Sequence, residues 1–259
     1  MKNFELISFA SAGELARAAA NAWLNEMESA NHAGKPHHVA LSGGRIARKF
    51  FAAVVEQTKT RKIGDGDPDF AGGYAGAGTP SLPSNVHFFW ADERCVPRDD
   101  KESNFLLANE LLFVPLKISE SQIHRIRGED SPEAAAKAAS TEISRIVPLN
   151  EAGLPILDLF FLGMGQDGHV ASLFPGESDV LILDKVIYRA VKNSPKPPPN
   201  RVTLGYTTIT AAKQVWVLVS GAGKETALRE SLSSEGRTPL ARVTQFRTRT
   251  KIFCDFPMT

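Results

Sequence analysis

Four short apolar runs in this chain of 259 residues break off abruptly into glycine or charge: VALSGG at 39–44, HFFWADER at 87–94, LFFLGMGQDGH at 159–169 and VLVSGAGK at 217–224. Between them the apolar residues change period. Leu15, Ala18, Ala19, Ala22 and Trp23 lie at helical spacing and predict a helix over 12–29, and Ile46, Phe50, Val54 and Val55 share a face in the segment after the first run. SNFLLANELLF reads as a helix with Ser103 as N-cap, and SPEAAAKAASTEISRIV as another with Ser131 capping and Pro132 in the first turn. Strands are expected at 86–90 and 156–162, RVTLGYTTITAA reads as strand then helix, and KETALRESL as a further helix. Strands alternating with helices predict an α/β fold, a mostly parallel sheet with helices on both faces. If the strands are parallel, all four loops emerge at one carboxyl edge, where open α/β sheets bind ligands.

A formal net charge of +1 with no long block of one sign gives no reason to expect nucleic-acid or anionic-membrane binding. No apolar run approaches the ~20 residues of a bilayer span. The first twenty residues lack the order of a signal peptide, with Glu5 and Glu14 interrupting them. Cys95 and Cys254 are distant and carry no metal spacing, so the chain is expected to be cytoplasmic with free thiols. Residues 1–259 are expected to form one domain, a monomer or small homo-oligomer. Residues 64–84, rich in Gly, Ala, Pro and Asp and without periodicity, are read as a flexible surface insert.

The loops carry the candidate chemistry. Ser42, Gly43 and Gly44, between strand and helix, can bring backbone N–H groups to an anion, although the same signal also fits a plain tight turn. Asp92, Glu93 and Arg94 come after an aromatic strand, where charge is costly unless solvated, paired or used. Lys224 and Arg201, taken alone, read as surface residues. His169 is the one histidine of six placed just past a strand end inside a glycine-held loop, with Asp167 beside it; an imidazole titrates near neutrality and serves as a general base. His32, His37 and His38 fall in or beside a polar turn, His87 in a strand, and His124 in a structural segment. Gly163, Gly165 and Gly168 match the dinucleotide spacing G-x-G-x-x-G, but Pro175-Gly176 denies the helix that motif needs. The glycines are therefore read as holding a catalytic loop.

Together these segments resemble the 6-phosphogluconolactonase family, within the glucosamine-6-phosphate isomerase/deaminase superfamily. FLGMGQDGHVASLFPG and FFWADERCVPRDDKESN are similar to its two most distinctive motifs, and PNRVTL and the strand ending in GAGK to a third and fourth. The resemblance implies a Rossmann-like sheet and hydrolysis of 6-phospho-D-glucono-1,5-lactone, a phosphorylated sugar lactone of the oxidative pentose phosphate pathway, with no metal and no organic cofactor. By position it makes His169 the base that activates water. Asp167 and Asp92 would shape and polarise the site, and Arg94 would face the lactone oxygens. Ser42, Gly43, Gly44, Arg201 and Lys224 would hold the phosphate. Arg45 stands where the family usually has a small hydroxyl residue, and adds a cation there. Two rivals compete with the lactonase. A deaminase would carry a glutamate before the proline, where this chain has Phe174. A sugar-phosphate sensor would bring a DNA-binding segment, and none is visible in the sequence.

Overall fold

The computed structural model of the protein describes residues 3–61 and 81–258. In chain order the elements are β1 (Phe4–Ser8), α1 (Ala12–His32), β2 (His37–Leu41), α2 (Arg45–Thr60), β3 (Val86–Trp90), β4 (Asp92–Arg94), α3 (Asn104–Ala108), α4 (Pro132–Ile146), β5 (Leu159–Gly163), α5 (Asp179–Leu183), β6 (Tyr188–Val191), β7 (Arg201–Leu204), α6 (Tyr206–Ala211), β8 (Gln214–Val219), α7 (Glu225–Ser231), α8 (Pro239–Gln245) and β9 (Thr250–Cys254). Six strands form a sheet in the order β1-β9-β8-β5-β2-β3, every pair parallel. Parallel register sends the ends of β2, β3, β5, β8 and β9 to one edge.

The helices begin where their caps place them. Ser11, Ser103, Ser131 and Thr238 each accept a bond from the N–H three residues on, satisfying a donor that the first turn leaves open. Gly44 caps α2 at φ 97°, a conformation that a Cβ would penalise. α3 runs on through a wider turn over Asn109–Phe113. Helices α1 and α2 pack together over one face of the sheet, where Trp23, Phe50 and Phe161 meet with ring centroids 4.5–5.6 Å apart. Trp216 continues that aromatic layer edge-on to Phe161. Dispersion and area burial concentrate here, with Trp23, Phe50 and Trp216 at most 1% exposed.

Two features depart from the sequence reading. Strands β4, β7 and β6 make a second, antiparallel sheet, so RVTL does not join the parallel series. The reason is its partners: Val202 pairs with Glu93 and with Ala190. Of the 64–84 insert, residues 64–80 lie outside the described residues, and its end is surface only in part, with Ser84 exposed. Leu82 and Pro83 are buried, with the Pro83 carbonyl accepting from Val86 N and Gln122 Nε2. His37 and His38 stand beside the turn as the first two residues of β2 and are buried. Among the described residues no helix is long and apolar enough to cross a membrane.

Candidate active site

Strand β5 ends at Gly163, and the chain folds back on itself instead of entering a helix. Gly165 N donates to the His169 carbonyl at 2.9 Å, Gly168 N to the Gly165 carbonyl at 3.1 Å, and Val170 bridges both Met164 and Leu173. Gly165 leaves room for the two side chains of the turn, since a Cβ there would collide with the His169 ring and the Asp167 carboxylate. From α8, Leu240 N donates to the Gly168 carbonyl at 3.1 Å and pins the turn.

The imidazole of His169 is held on two sides. Phe174 lies over it with centroids 5.1 Å apart, and Nδ1 bonds Asp167 Oδ1. Lys196, from the loop between β6 and β7, completes a triangle. Its Nζ lies 3.0 Å from His169 Nδ1 and 3.0 Å from Asp167 Oδ2. Burial pushes the His169 pKa below its ordinary value; Asp167 opposes this and Lys196 adds to it. Burial works against ionisation of Asp167, yet the bonds from His169 and Lys196 hold its carboxyl down at about 2. In the tautomer whose Nδ1 proton points at the Asp167 carboxylate, Nε2 is the nitrogen able to take a proton.

Beside this loop, strand β4 buries two carboxylates. Asp92 Oδ2 accepts from Ser172 Oγ at 2.6 Å and its Oδ1 from Asn104 Nδ2 at 3.3 Å. Glu93 faces the other way and acts as a nest for the start of α3. It accepts from Asn104 N and Phe105 N, both at 2.7 Å, from Arg94 N at 2.7 Å and from Ser103 Oγ at 3.2 Å. Burial drives its pKa up to about 7 against those bonds. Arg94 donates to the Glu102 carbonyl at 2.8 Å and keeps a buried Nε without a partner among the described residues.

The cations gather where β2 and β8 end. Arg45 opens α2, and Lys224 precedes α7. Burial lowers the Lys224 pKa, and the Arg45 charge lowers it further, with Asp255 opposing and Lys196 adding. Arg45 and Lys196 thus each lie within electrostatic reach of Lys224. Asp255, just past β9, ties down the SGAGK loop by accepting from Ser220 Oγ at 2.6 Å and Gly221 N at 3.1 Å. Gln166 Nε2 reaches the Ala222 carbonyl at 3.5 Å, joining the β5 loop to the β8 loop.

Two residues sit differently from the expectation. The Ser42 hydroxyl is buried without a partner among the described residues, beside a void shared with Gly43, Phe50, Phe161 and Gly163. Arg201 is buried, and its guanidinium grips the loop before it. Nε donates to Pro198 O at 3.0 Å, NH2 to Lys196 O at 2.9 Å and Pro197 O at 3.0 Å, and NH1 to Ser172 Oγ at 3.3 Å. The structure adds Lys196, Ser172 and Asp255 to the residues that the sequence singles out. The signals for two of them are present in the chain: Lys196 is the one cation in the Pro-rich NSPKPPPN, directly before Arg201, and Ser172 is three residues past His169.

A roomier cleft of about 340 Å³ opens at the opposite edge, lined by Glu26, His37, Asp158 and Lys213. Its ionisable groups are already engaged, Asp158 by His38 N and Lys213, His37 by Trp23, and Glu26 by Gln214. Reactive groups converge at the carboxyl edge instead. Among the described residues no cluster of three or more His, Cys, Asp or Glu is disposed to hold a metal ion.

A model of the family described as glucosamine-6-phosphate isomerases/6-phosphogluconolactonase matches residues 10–252. A 6-phosphogluconolactonase of Streptomyces coelicolor is 32% identical over 232 residues, covering 86% of this chain and 80% of that one. A probable chloroplastic 6-phosphogluconolactonase 3 of rice is 42% identical over 159 residues, 59% of this chain, and the match spans only 48% of the rice protein's length. Among solved structures, the 6-phosphogluconolactonase of Trypanosoma brucei superposes with a TM-score of 0.78 at 24% identity, covering 98% of this chain and 97% of that one. A monomeric glucosamine-6-phosphate deaminase superposes nearly as well, with a TM-score of 0.73 at 18% identity, covering 98% of this chain and 97% of that one, so the fold is common to both activities. The chain belongs to the glucosamine-6-phosphate isomerase/6-phosphogluconolactonase family.

Proposed function

We propose that the protein hydrolyses 6-phospho-D-glucono-1,5-lactone to 6-phospho-D-gluconate in the cytoplasm, with His169 as general base. The observation that carries this reading is the His169–Asp167 pair, oriented at a rim that also holds Arg45 and Lys224. Neutral His169 takes a proton at Nε2 from a water whose oxygen bonds the lactone carbonyl carbon. The tetrahedral intermediate then expels the ring oxygen, which receives that proton, and the open-chain acid is formed. General-base assistance of this kind is worth ~10²–10⁴-fold. Arg94 is the donor assigned to the developing oxyanion, and loss of such a donor costs ~10²–10³-fold.

The phosphate is assigned to the Gly43 and Gly44 backbone, Arg45 and Lys224. Arg201 supports it through the loop it grips and through the remaining hydrogen of NH1, and Ser42 through its backbone. Phe174 favours the lactonase over the deaminase, because an apolar ring tilted against the imidazole can neither give nor take a proton during ring opening. The test is product formation from fresh lactone, corrected for spontaneous hydrolysis. His169→Gln is expected to lose at least ~10²-fold in kcat while still binding 6-phosphogluconate. A variant with kcat near wild type would remove His169 from the mechanism.

A further inference from the structure

Lys196 is placed with more care than a surface lysine requires. Its loop is tied by Ser194 N to the Pro199 carbonyl at 2.8 Å and by Ser194 Oγ to the Lys196 carbonyl at 2.9 Å. Arg201, buried, holds three successive carbonyls from Lys196 to Pro198. The backbone from which the side chain springs is thereby fixed, and little rotamer freedom remains once Nζ has bonded Asp167 at 3.0 and 3.1 Å. From there the ammonium faces His169 Nδ1 at 3.0 Å.

A histidine paired only with an aspartate becomes a stronger base, since the carboxylate favours imidazolium. A base that is protonated near neutrality cannot deprotonate water. We propose that Lys196 is a positioning residue that neutralises the Asp167 carboxylate and opposes a positive charge on His169, so that the imidazole stays unprotonated with Nε2 available while Asp167 still fixes its orientation. The inference rests on the reading of His169 as the base.

The charges that face this ring come from three elements: Asp167 on its own loop, Lys196 from the β6–β7 loop and Asp92 from β4. The two acids favour imidazolium, and burial and Lys196 disfavour it. Removing the lysine therefore leaves two carboxylates acting on one imidazole. A lysine that instead served to hold the phosphate would act on substrate affinity and leave the acid limb of the pH profile in place.

The experiment compares wild type with Lys196→Met, which keeps the length of the side chain, and Lys196→Arg, which keeps the charge. Titration of the His169 ring in the ligand-free protein by NMR is expected to move upward by about one pH unit in Lys196→Met and to return towards wild type in Lys196→Arg. The acid limb of kcat/KM for the lactone should move by the same amount and in the same direction. An unchanged His169 titration in Lys196→Met overturns the proposal, as does a rise in KM with the pH profile unmoved. Because the NMR titration needs no turnover, it reports on Lys196 even if the protein proves inactive on the lactone, so failure of the lactonase reading and failure of this inference give different results.

Discussion

Gly165 and His169 share one volume, which makes the smallest residue of the loop the one that sets where the imidazole lies. The imidazole lies where a Cβ at position 165 would project, so Gly165→Ala must push the ring or the Asp167 carboxylate aside. Fold stability need not suffer greatly, because the loop is partly exposed and its backbone bonds to Gly168 and His169 survive. The expected outcome is a loss of ~10²-fold in kcat with thermal unfolding shifted by only a few degrees. Calorimetry alongside the lactone assay checks it, and a fully active Gly165→Ala would show that the ring tolerates displacement. Position 174 sets a complementary limit. A phenylalanine over the imidazole excludes water from one face and supplies no proton, whereas a carboxylate there would add a second acid to an imidazole that already has one.

At the scale of elements, strand ends and helix starts form the corner to which the phosphate is assigned. The amino end of α2 presents open N–H groups beside Gly43 and Gly44, Arg45 adds a charge, and Lys224 approaches from the end of β8. Asp255 holds the β8 loop in place from β9, so three strands of the sheet contribute to one cationic corner. Lys224→Ala is expected to weaken 6-phosphogluconate binding by about 1.5–3 kcal/mol while altering gluconate binding little. Isothermal titration with both ligands measures the difference, and equal losses would place the phosphate elsewhere. Glu93 shows the opposite use of charge. It is buried to organise the first turn of α3, and in doing so it sets Asn104 against Asp92.

Over the whole molecule the two edges of the parallel sheet behave differently. The carboxyl edge holds open, cationic loops, and the amino edge holds buried imidazoles. His37 accepts from Trp23 Nε1 at 3.1 Å, and burial lowers its pKa from 6.5 to about 4. Well above its ordinary pKa the residue is neutral in both folded and unfolded chains. As pH falls below that value the unfolded chain takes up a proton that the folded one refuses, so stability is lost until about pH 4. At pH 5 the loss is about 2 kcal/mol. Urea unfolding at about pH 7 and about pH 5 should therefore show a larger drop for wild type than for His37→Gln. Equal drops would mean that His37 accepts a proton in the folded state.

Much of the molecule is legible in the amino-acid sequence because its signals are local. Helical spacing in α1, α2 and α4, serine caps at positions 103 and 131, and apolar runs ending in glycine are each visible within a short window, and the structure realises them. The loop 164–173 is readable for the same reason, since a proline shortly after the glycines forbids a helix. What the tertiary structure alone decided is which distant segments meet. Asp92 finds Ser172 across 80 residues, and Lys196 finds Asp167 across 29. The antiparallel pairing of β4, β6 and β7 brings Arg201 to the carbonyls that it holds. No period or motif encodes such contacts. They arise from strand order and register, which the chain reaches only by burying its aromatic layer and satisfying its backbone as a whole.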